Sequence, residues 1–471
     1  MTIATLLSRV LGLARDVVLA AAFGASGVMD AFNVATRIPN LVRDLFAEGA
    51  MSAAFVPTFT RHLKEKGERE AWRLGSNVIN ALLVVTGTLV VLGMVFAYPL
   101  ADFYTDDEQF SEYLGLTASL TRWTLPFLTM VAIAVAQAGM LNSLRQFFIP
   151  AVSPAMYNVA VILSAVAFVP FCPALGLEPI TGIAIGSLVG GLLQIAVQWP
   201  ALRKVGFRYR PVLDFRDPGL REVLLLMGPG TIGVAAAQIN LAVNTWLATS
   251  QGEGAVTALT YAFRLMYLPI GLFGVSVATA AVPELARQAS GQGFDDMRRT
   301  ISSSLRLMLM LSVPSMVGLA VLAHPIAQLV FERGAFLPEH TSAVAWALLM
   351  YAPGLLGYSV VKIASPSFYA LRNARTPVIV SIITVLSNVA LNLWLVRLLG
   401  FGGLALGTAL ASILNAGLLL VLLSRRINGI DAARVVKAFV KIMVASAVMG
   451  AAAYFTQAWL SGALGGASTL Q

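Results

Sequence analysis

The sequence predicts an all-α polytopic membrane protein with two six-helix lobes and at least one extra helix at its C-terminal end. The 471 residues are 58% hydrophobic and only 12% charged, whereas soluble domains carry about 25% charged residues. The mean hydropathy is +0.80. Apolar stretches of about 20 residues recur along the chain, long enough to cross a hydrocarbon core of about 30 Å as helices. Short motifs also recur six helices apart. These observations exclude a water-soluble fold.

Thirteen stretches are predicted to be membrane helices. The first contains Arg9, Arg15 and Asp16, so it lacks the purely apolar centre of a cleaved signal peptide and is predicted to be retained. The thirteen stretches are residues 3–23, 28–55, 78–100, 116–140, 154–169, 180–199, 224–248, 256–282, 301–323, 343–364, 378–396, 404–423 and 435–455.

The basic residues predict the orientation of the chain. Of the 32 lysines and arginines, 23 follow even-numbered helices, whereas the loops on the other side contribute only Arg333 and Arg397. Cytoplasmic loops are enriched in basic residues, so we place the N-terminus in the cytoplasm. This topology accounts for the net charge of +9. We therefore predict membrane lipids, and no nucleic acid, around the protein.

The sequence offers little for chemical catalysis. Its single cysteine, Cys172, excludes an intrachain disulfide and a cysteine-based metal cluster. His62, His324 and His340 lack the spacing of metal ligands, and no Ser-His-Asp order, Walker loop or zinc motif is present. We predict no catalytic residue, no metal site and no cofactor, so the protein is not expected to be an enzyme.

The two halves of the chain repeat one pattern. Because the matching motifs lie six helices apart, and six is even, both halves have the same orientation and a pseudo-two-fold axis along the membrane normal relates them. The matches are AFVP at 54–57 with AVP at 281–283, LR at 144–145 with LR at 371–372, NVA at 158–160 with NVA at 388–390, and GIAIG at 182–186 with GLALG at 403–407.

The duplication predicts three regions. They are an N-terminal lobe of residues 1–205, a C-terminal lobe of residues 206–426, and an extra transmembrane helix within residues 427–471. Transporters built from parallel repeats bind their substrate near the bilayer midplane, where the repeats meet. We therefore expect a substrate cavity between the two lobes.

Several charged side chains fall inside predicted helices, where facing lipid costs at least about 2.5–3.5 kcal/mol. The basic ones are Arg9, Arg15, Arg37, Arg43, Arg122, Arg264 and Lys362. On the second helix, a spacing of about 100° per residue predicts one polar face. That face comprises Asp30, Asn33, Arg37, Asn40, Asp44 and Glu48, and Pro39 is expected to kink the helix.

These charges have two interpretations. They form a cationic cavity for an anionic headgroup, because guanidinium groups bind phosphate oxygens through two hydrogen bonds at once. Alternatively, they form internal ion pairs that hold helices together, for example Arg15 with Asp44. Arg122 lies near the end of its helix, where its long side chain can reach the membrane surface. Asp30 is predicted near the periplasmic end of the second helix, away from Arg43.

The N-terminal residues resemble a known family. The motifs SRVLG (8–12), ARD (14–16), FGA (23–25), DAF (30–32), IPNL (38–41), FAEGA (46–50) and AFVP (54–57) are similar to the N-terminal signature of the MurJ (MviN) lipid II flippases. RLMYLP at 264–269, with Gly271 after it, resembles the motif of that family's eighth helix. The number of helices and the order of the loops extend the resemblance along nearly all of the chain.

The resemblance implies a function and a site. The family belongs to the multidrug/oligosaccharidyl-lipid/polysaccharide exporter superfamily, whose two six-helix lobes face a central cavity and work by alternating access. It implies a bacterial inner-membrane protein that carries lipid II, the undecaprenyl-pyrophosphate-linked disaccharide-pentapeptide, from the cytoplasmic to the periplasmic leaflet. The pyrophosphate-sugar headgroup is then bound by Arg9, Arg15, Asp30, Arg43 and Arg264. The polar face of the second helix adds Arg37, Asn40 and Glu48 as candidates.

The sequence also departs from the family pattern. Family members have fourteen helices, and the last two form a groove for the polyprenyl tail, so we expect the fourteenth helix to be missing and the sequence to be truncated at its ends. Some members bind sodium through carboxylates, whereas the polar candidates here are Asn240, Asn388 and Asn392. Amides alone make a weak sodium site, so coupling to the membrane potential or to protons is favoured.

Two other functions stay open at this stage. A related exporter of another undecaprenyl-linked glycan or of drugs would have a cavity with fewer arginines. A membrane enzyme acting on polyprenyl phosphates would show acidic residues clustered at a membrane face for a metal, and a non-transporting scaffold would not need charged helix interiors. For a lipid II flippase, cell-wall assembly proteins are predicted partners.

Overall fold

The structure is a computed structural model that describes residues 2–47, 50–105, 108–289 and 293–463. These residues form nineteen α-helices and, within the described ranges, no β-strand, which confirms the all-α prediction. The helices are α1 (Thr2–Phe23), α2 (Gly27–Ala47), α3 (Ala50–Glu65), α4 (Glu68–Val95), α5 (Ala97–Tyr104), α6 (Ser111–Thr124), α7 (Phe127–Ser143), α8 (Phe148–Leu163), α9 (Pro179–Lys204), α10 (Pro218–Thr249), α11 (Ala255–Pro269), α12 (Val275–Gln288), α13 (Asp295–Val321), α14 (Ala323–Phe331), α15 (Pro338–Tyr351), α16 (Gly354–Ala370), α17 (Arg375–Leu399), α18 (Phe401–Arg426) and α19 (Ala432–Ala463).

Apart from residues 48 and 49, which lie outside the described ranges, each of the thirteen predicted spans lies on one of these helices or on helical segments that follow one another. Within the described ranges, nine helical spans are long and apolar enough to cross a membrane, and some of them join consecutive segments such as α6 and α7. There are ten if α15 and α16, which bend by 47°, count as one. Neither α1 nor α2 is among them, because each has at least three charged side chains. Two π-helical turns, Ser164–Phe168 and Ile270–Gly274, continue α8 and α11.

Several helices extend past their predicted ends on the side rich in basic residues. α4 begins at Glu68 rather than at residue 78, and α13 begins at Asp295 rather than at residue 301. Hydropathy falls where polar residues begin, but the backbone stays helical because long polar side chains reach water from the headgroup region. The prediction that the 23 basic residues after even-numbered helices lie in loops was therefore wrong for the seventeen that lie on helices. They are Arg61, Lys64, Arg69, Arg73, Arg203, Lys204, Arg221, Arg287, Arg298, Arg299, Arg306, Arg375, Arg425, Arg426, Arg434, Lys437 and Lys441.

The chain divides into two compact units. The first comprises Met1–Thr257 with Arg333–Leu337, and the second comprises Ala258–Glu332 with Pro338–Gln471. These are units of packing, whereas the predicted lobes are units of sequence duplication. The lobe boundaries near residues 205 and 426 thus stay a prediction.

An aromatic cluster forms part of the buried core of the first unit. The ring centroids of Phe59 and Trp72, and those of Trp72 and Phe207, are each 5.5 Å apart. Beside this cluster, the loop between α9 and α10 is fastened to α4. The Asn77 side chain donates to the Asp214 carbonyl at 2.9 Å and accepts from the Asp214 N–H at 2.8 Å. These two bonds satisfy an irregular backbone segment that has no helical partners.

Small residues let helices of the second unit approach closely. A Cβ added at Gly357 on α16 would lie 2.4 Å from the carbonyl carbon of Ser412 on α18, and one at Gly450 on α19 would lie 2.6 Å from Val317 on α13. Close backbone approach at small residues is typical of helix packing in membranes. α19 is the predicted extra helix, and it packs against α13.

The repeated Leu-Arg motif has the same local structure in both units. Arg145 after α7 has φ 60° and Arg372 after α16 has φ 55°. The next residue in each motif donates back to the helix, from Gln146 to the Leu141 carbonyl and from Asn373 to the Phe368 carbonyl, both at 2.9 Å. This left-handed helix end is usually formed by glycine. The sequence duplication therefore preserves an uncommon arginine conformation.

Candidate functional site

Arg15, the central candidate of α1, is held by three neighbours within the first unit. Its guanidinium donates to Asp16 at 2.9 Å and to the Asn158 side-chain oxygen at 3.0 Å. It also lies over the Tyr157 ring, 5.5 Å from the centroid. The side chain of Arg15 is 14% exposed, whereas that of Asp16 is 3% exposed. The guanidinium is thus oriented by an internal pair but still reaches the accessible space beside α1.

The amide of Asn158 joins α8 to α1 at two points. While its oxygen accepts from Arg15, its nitrogen donates to the Ser8 carbonyl at 3.2 Å. Gly12 lies between these two contacts, and a Cβ added there would be 3.7 Å from the Asn158 nitrogen. Arg9 lies on the same helix and is half-buried. The close approach of α8 therefore fixes the face of α1 that presents its arginines.

Asp30 lies in the first turn of α2 and caps the start of α11. Its carboxylate accepts hydrogen bonds from the Gly254 N–H at 2.7 Å, the Thr257 N–H at 2.7 Å and the Thr257 hydroxyl at 2.5 Å. The first N–H groups of a helix have no partner within it, and a carboxylate also interacts favourably with the positive end of the helix dipole. Asp30 is fully buried. Asn33, one turn later, donates to the Thr257 hydroxyl at 2.9 Å.

Glu253, just before α11, caps α2 in return. Its carboxylate accepts from the Gly27 N–H at 2.8 Å and from the Tyr113 hydroxyl at 3.2 Å. Gly254 has φ 81°, and a Cβ added there would lie 2.3 Å from the Ala25 carbonyl oxygen. The two helix starts therefore cap each other, in an arrangement that only glycine at position 254 fits.

The rest of the polar face of α2 is described in part. Arg37 and Asn40 are half-buried and follow Asp30 and Asn33 along the helix. The backbone stays helical through Pro39, from Gly27 to Ala47. Glu48 and the side chain of Arg43 lie outside the described residues, as does the side chain of Asp44, the predicted partner of Arg15. Among the described side chains, Arg15 donates to Asp16 and Asn158, and its pairing with Asp44 stays a prediction.

Arg264 is half-buried on α11 in the second unit, among aromatic residues. The ring centroid of Phe263 is 5.7 Å from that of Tyr267 on the same helix and 6.0 Å from that of Tyr358 on α16. Lys362 is half-buried one turn after Tyr358. The second unit thus brings two cations and three partly accessible rings onto two adjacent helices.

Arg122 and the metal-ligating residue types bear on the chemistry of the site. Arg122 is exposed and donates to the Met94 carbonyl at 3.2 Å, which agrees with a side chain that extends along the helix end. Among the described residues, no three His, Cys, Asp or Glu side chains converge as metal ligands would. The described site therefore offers hydrogen-bond donors and positive charge.

Sequence reasoning missed three members of this site. Asn158 was noticed only as part of a repeated motif, although it is a partner of Arg15. Thr257 and Glu253 were not singled out, because their role depends on α2 and α11 starting side by side. The rings near Arg264 have one sequence signal, because Phe263 and Tyr267 are spaced by one helical turn. An aromatic pair at that spacing usually belongs to a core, so the spacing does not identify a binding site.

The described helices and the charged groups inside them define a multi-pass membrane protein of the transporter type. The family model of the lipid II flippase MurJ matches residues 19–469. A Vibrio cholerae protein named as a probable lipid II flippase MurJ is 36% identical over 424 residues, which are 88% of this chain and 80% of that one. The lipid II flippase MurJ of Burkholderia cenocepacia is 35% identical over 432 residues, which are 90% and 82% of the two chains. The chain belongs to the lipid II flippase MurJ family.

Solved structures agree with this assignment. A lipid II flippase MurJ in an inward closed conformation superposes with a TM-score of 0.82 at 29% identity, covering 97% of this chain and 92% of that one. An inward-facing multidrug resistance MATE transporter of the MOP superfamily superposes with a TM-score of 0.73 at 16% identity, covering 89% and 94%. The second likeness shows the fold alone, and it confirms the superfamily fold that the sequence resemblance implied.

Proposed function

We propose that this chain flips lipid II from the cytoplasmic to the periplasmic leaflet of the bacterial inner membrane by alternating access. The observation that carries the proposal is its membership of the lipid II flippase MurJ family along residues 19–469. The relatives are named for this lipid, whose headgroup joins a pyrophosphate to sugars and a peptide. Cell-wall assembly proteins stay predicted partners.

The arginines supply the chemistry that such a headgroup needs. A pyrophosphate that crosses the membrane loses the water molecules that donate hydrogen bonds to it, so the protein must supply other donors. Guanidinium groups supply paired hydrogen bonds and a positive charge. Arg15 is preoriented by Asp16 and Asn158, so binding would cost it little side-chain entropy. We assign headgroup binding to Arg9, Arg15, Arg37, Asn40, Arg43, Glu48 and Arg264.

Asp30 has a different part in this proposal. Its carboxylate is taken up by three hydrogen bonds to Gly254 and Thr257, which stabilise one arrangement of α2 and α11. A conformational change follows from a ligand only if the ligand binds two states differently. We propose that Asp30 caps α11 in one access state and meets the headgroup or a cavity arginine in the other.

The orientation follows from charge. Basic residues are concentrated after even-numbered predicted helices, which places the N-terminus in the cytoplasm under the positive-inside rule. Transport would then start at the face that bears the exposed Arg203, Lys204 and Arg208.

The proposal is tested in bacteria depleted of their own lipid II flippase. This chain should restore growth and return lipid II to the outer leaflet, as measured by its accessibility to an externally added lipid II-degrading enzyme. The matched control is the Arg15→Ala variant at equal protein level, which should fail. Accumulation of lipid II in the inner leaflet, despite normal amounts of the unmodified chain in the membrane, would refute the proposal.

A further inference from the structure

One face of α11 is accessible from Thr260 onward. Thr260, Phe263, Arg264 and Tyr267 are half-buried, whereas the residues between them, Tyr261, Ala262, Leu265 and Met266, are buried to 3% exposure or less. The spacing of three and four residues places the accessible ones in a single stripe. The helix then passes into the π-helical turn Ile270–Gly274, and such turns often occur at functional sites.

A similar stripe follows α16. Tyr358, Lys362 and Ser365 are half-buried at intervals of four and three residues, whereas Ser359, Val360 and Ile363 between them are buried. Like the stripe on α11, it combines an aromatic ring, a cation and a hydroxyl group. A cation facing hydrocarbon is costly, so the stripes that bear Arg264 and Lys362 face a space that admits water.

The two stripes meet through their aromatic rings. The Tyr358 centroid is 6.0 Å from that of Phe263, at 81° between the rings, and 6.3 Å from that of Tyr267, at 75°. The buried Tyr351 packs against Phe263, with the two ring centroids 5.5 Å apart. Three partly accessible rings therefore pack together, and we call this group the aromatic crease. Arg264 follows Phe263 directly on α11, and Lys362 lies one turn after Tyr358 on α16. The exposed face of α17 in the same unit differs, because it carries large apolar side chains such as Leu386 and Trp394, which are 66% and 61% exposed.

We propose that this aromatic crease, formed by Phe263, Tyr267 and Tyr358, binds the sugar rings of the lipid-linked substrate. The inference rests on the proposed function and names the part of the substrate that these three residues contact. The arginines assigned to the headgroup fit its pyrophosphate, and they leave open which residues pack against the sugar rings.

The chemistry of the crease fits a pyranose ring next to a pyrophosphate. One face of a sugar ring consists of C–H groups, which pack against an aromatic ring, while its hydroxyls need donors and acceptors at the edge. Tyrosine offers both, because its ring is apolar and its hydroxyl donates and accepts. Arg264 and Lys362 lie where the phosphates of the same headgroup would follow. A polyprenyl tail has no need of cations or hydroxyls, and it would favour an aliphatic groove.

The test compares two lipids that differ only in the sugar-peptide part. Lipid II and undecaprenyl pyrophosphate are titrated against the purified full-length chain in lipid nanodiscs. Tyr267→Leu and Tyr358→Leu should weaken lipid II binding by roughly threefold to tenfold, the range for loss of one aromatic contact. Both variants should leave undecaprenyl pyrophosphate binding within about twofold of the unmodified chain. Tyr98→Leu, at an exposed tyrosine of α5, is the matched control and should change neither affinity.

Two further variants separate ring stacking from a folding defect. Tyr267→Phe and Tyr358→Phe keep the ring, so they should retain most of the lipid II affinity even if the leucine variants prove unstable. Equal loss of affinity for both lipids, or unchanged lipid II binding in the folded leucine variants, would overturn the sugar site. Failure of the unmodified chain to bind either lipid would instead contradict the proposed function itself.

Discussion

Asp30 and Glu253 cap each other's helices. Asp30, in the first turn of α2, accepts from the Gly254 and Thr257 N–H groups at the start of α11, both at 2.7 Å. Glu253, just before α11, accepts from the Gly27 N–H at the start of α2 at 2.8 Å. Each carboxylate thus satisfies N–H groups that its partner's helix leaves without intrahelical acceptors. Movement of α2 away from α11 would break both caps together.

Replacing the Asp30 carboxylate should impair transport. In the Asp30→Asn variant, one carboxylate oxygen is replaced by an NH2 group, which cannot accept a hydrogen bond. At least one of the three donors then loses its acceptor. An unsatisfied buried donor costs about 1–3 kcal/mol of stability. We expect lower lipid II turnover at retained protein level, measured together in flippase-depleted cells. Glu68→Gln, at an exposed position of α4, is the control. Unchanged turnover would leave Asp30 with a structural role only.

The contact at Gly254 predicts a difference between two neighbouring glycines. Gly254 and Gly252 both have positive φ, at 81° and 94°, but an added Cβ meets the Ala25 oxygen at 2.3 Å only at Gly254, whereas Gly252 faces open space. Both alanine variants should lose about 1–2 kcal/mol to backbone strain. Gly254→Ala should lose more, seen as a lower thermal unfolding midpoint. Equal midpoints would show that the start of α11 can move without cost.

Arg15 and Asn158 should be energetically coupled. The guanidinium donates to the Asn158 oxygen at 3.0 Å, and a hydrogen bond to a charged group contributes about 1.5–3 kcal/mol. A double-mutant cycle of Arg15→Lys and Asn158→Ala, measured by unfolding, should give a coupling of at least about 0.5 kcal/mol. As a control, Asn80 bonds the carbonyls of Arg210 and Val212, so Asn80→Ala should add to Arg15→Lys without coupling. Additive effects for Asn158 would contradict the described network.

Arg264 should be required for transport through its shape as well as its charge. Lysine keeps the charge but loses the planar group that binds two phosphate oxygens, so Arg264→Lys should retain part of the activity and Arg264→Ala very little. Protein level and lipid II flipping are measured in the same cells. A normal level with lost flipping supports contact with the substrate. A lost level, which would follow if Arg264 only neutralised a buried carboxylate, or full activity of the alanine variant, argues against it.

The predicted topology can be checked with reporters. A cytoplasm-specific reporter should be active when fused after Arg216, between α9 and α10, and a periplasm-specific one when fused after Gly252, between α10 and α11. The reason is that basic residues are in excess after even-numbered predicted helices, the side that contains Arg216, and cytoplasmic loops are enriched in basic residues. Activity of the opposite reporter at both points would reverse the orientation and the direction of transport.

The amino-acid sequence by itself determined the fold class and the order of the helices. Membrane helices can be predicted from local composition, because every backbone group must be paired within the helix and the side chains that face lipid must be apolar. The same logic made Arg15, Asp30 and Arg264 candidates, since charge inside a helix is conspicuous. Comparison of the two halves of the sequence also shows the Leu-Arg repeat, which follows α7 and α16 with the same left-handed turn.

Only the tertiary structure decided which partners these residues have. Asp30 meets Thr257 across 227 positions of sequence and Arg15 meets Asn158 across 143, and no local pattern encodes such pairs. The hydrogen bond needs two atoms within about 3 Å, so a shift of one helix by a fraction of a turn would select other partners. The aromatic crease has the same origin, because Tyr358 joins Phe263 and Tyr267 only where α16 lies beside α11. Composition selects the helices, whereas side-chain packing between them selects the site.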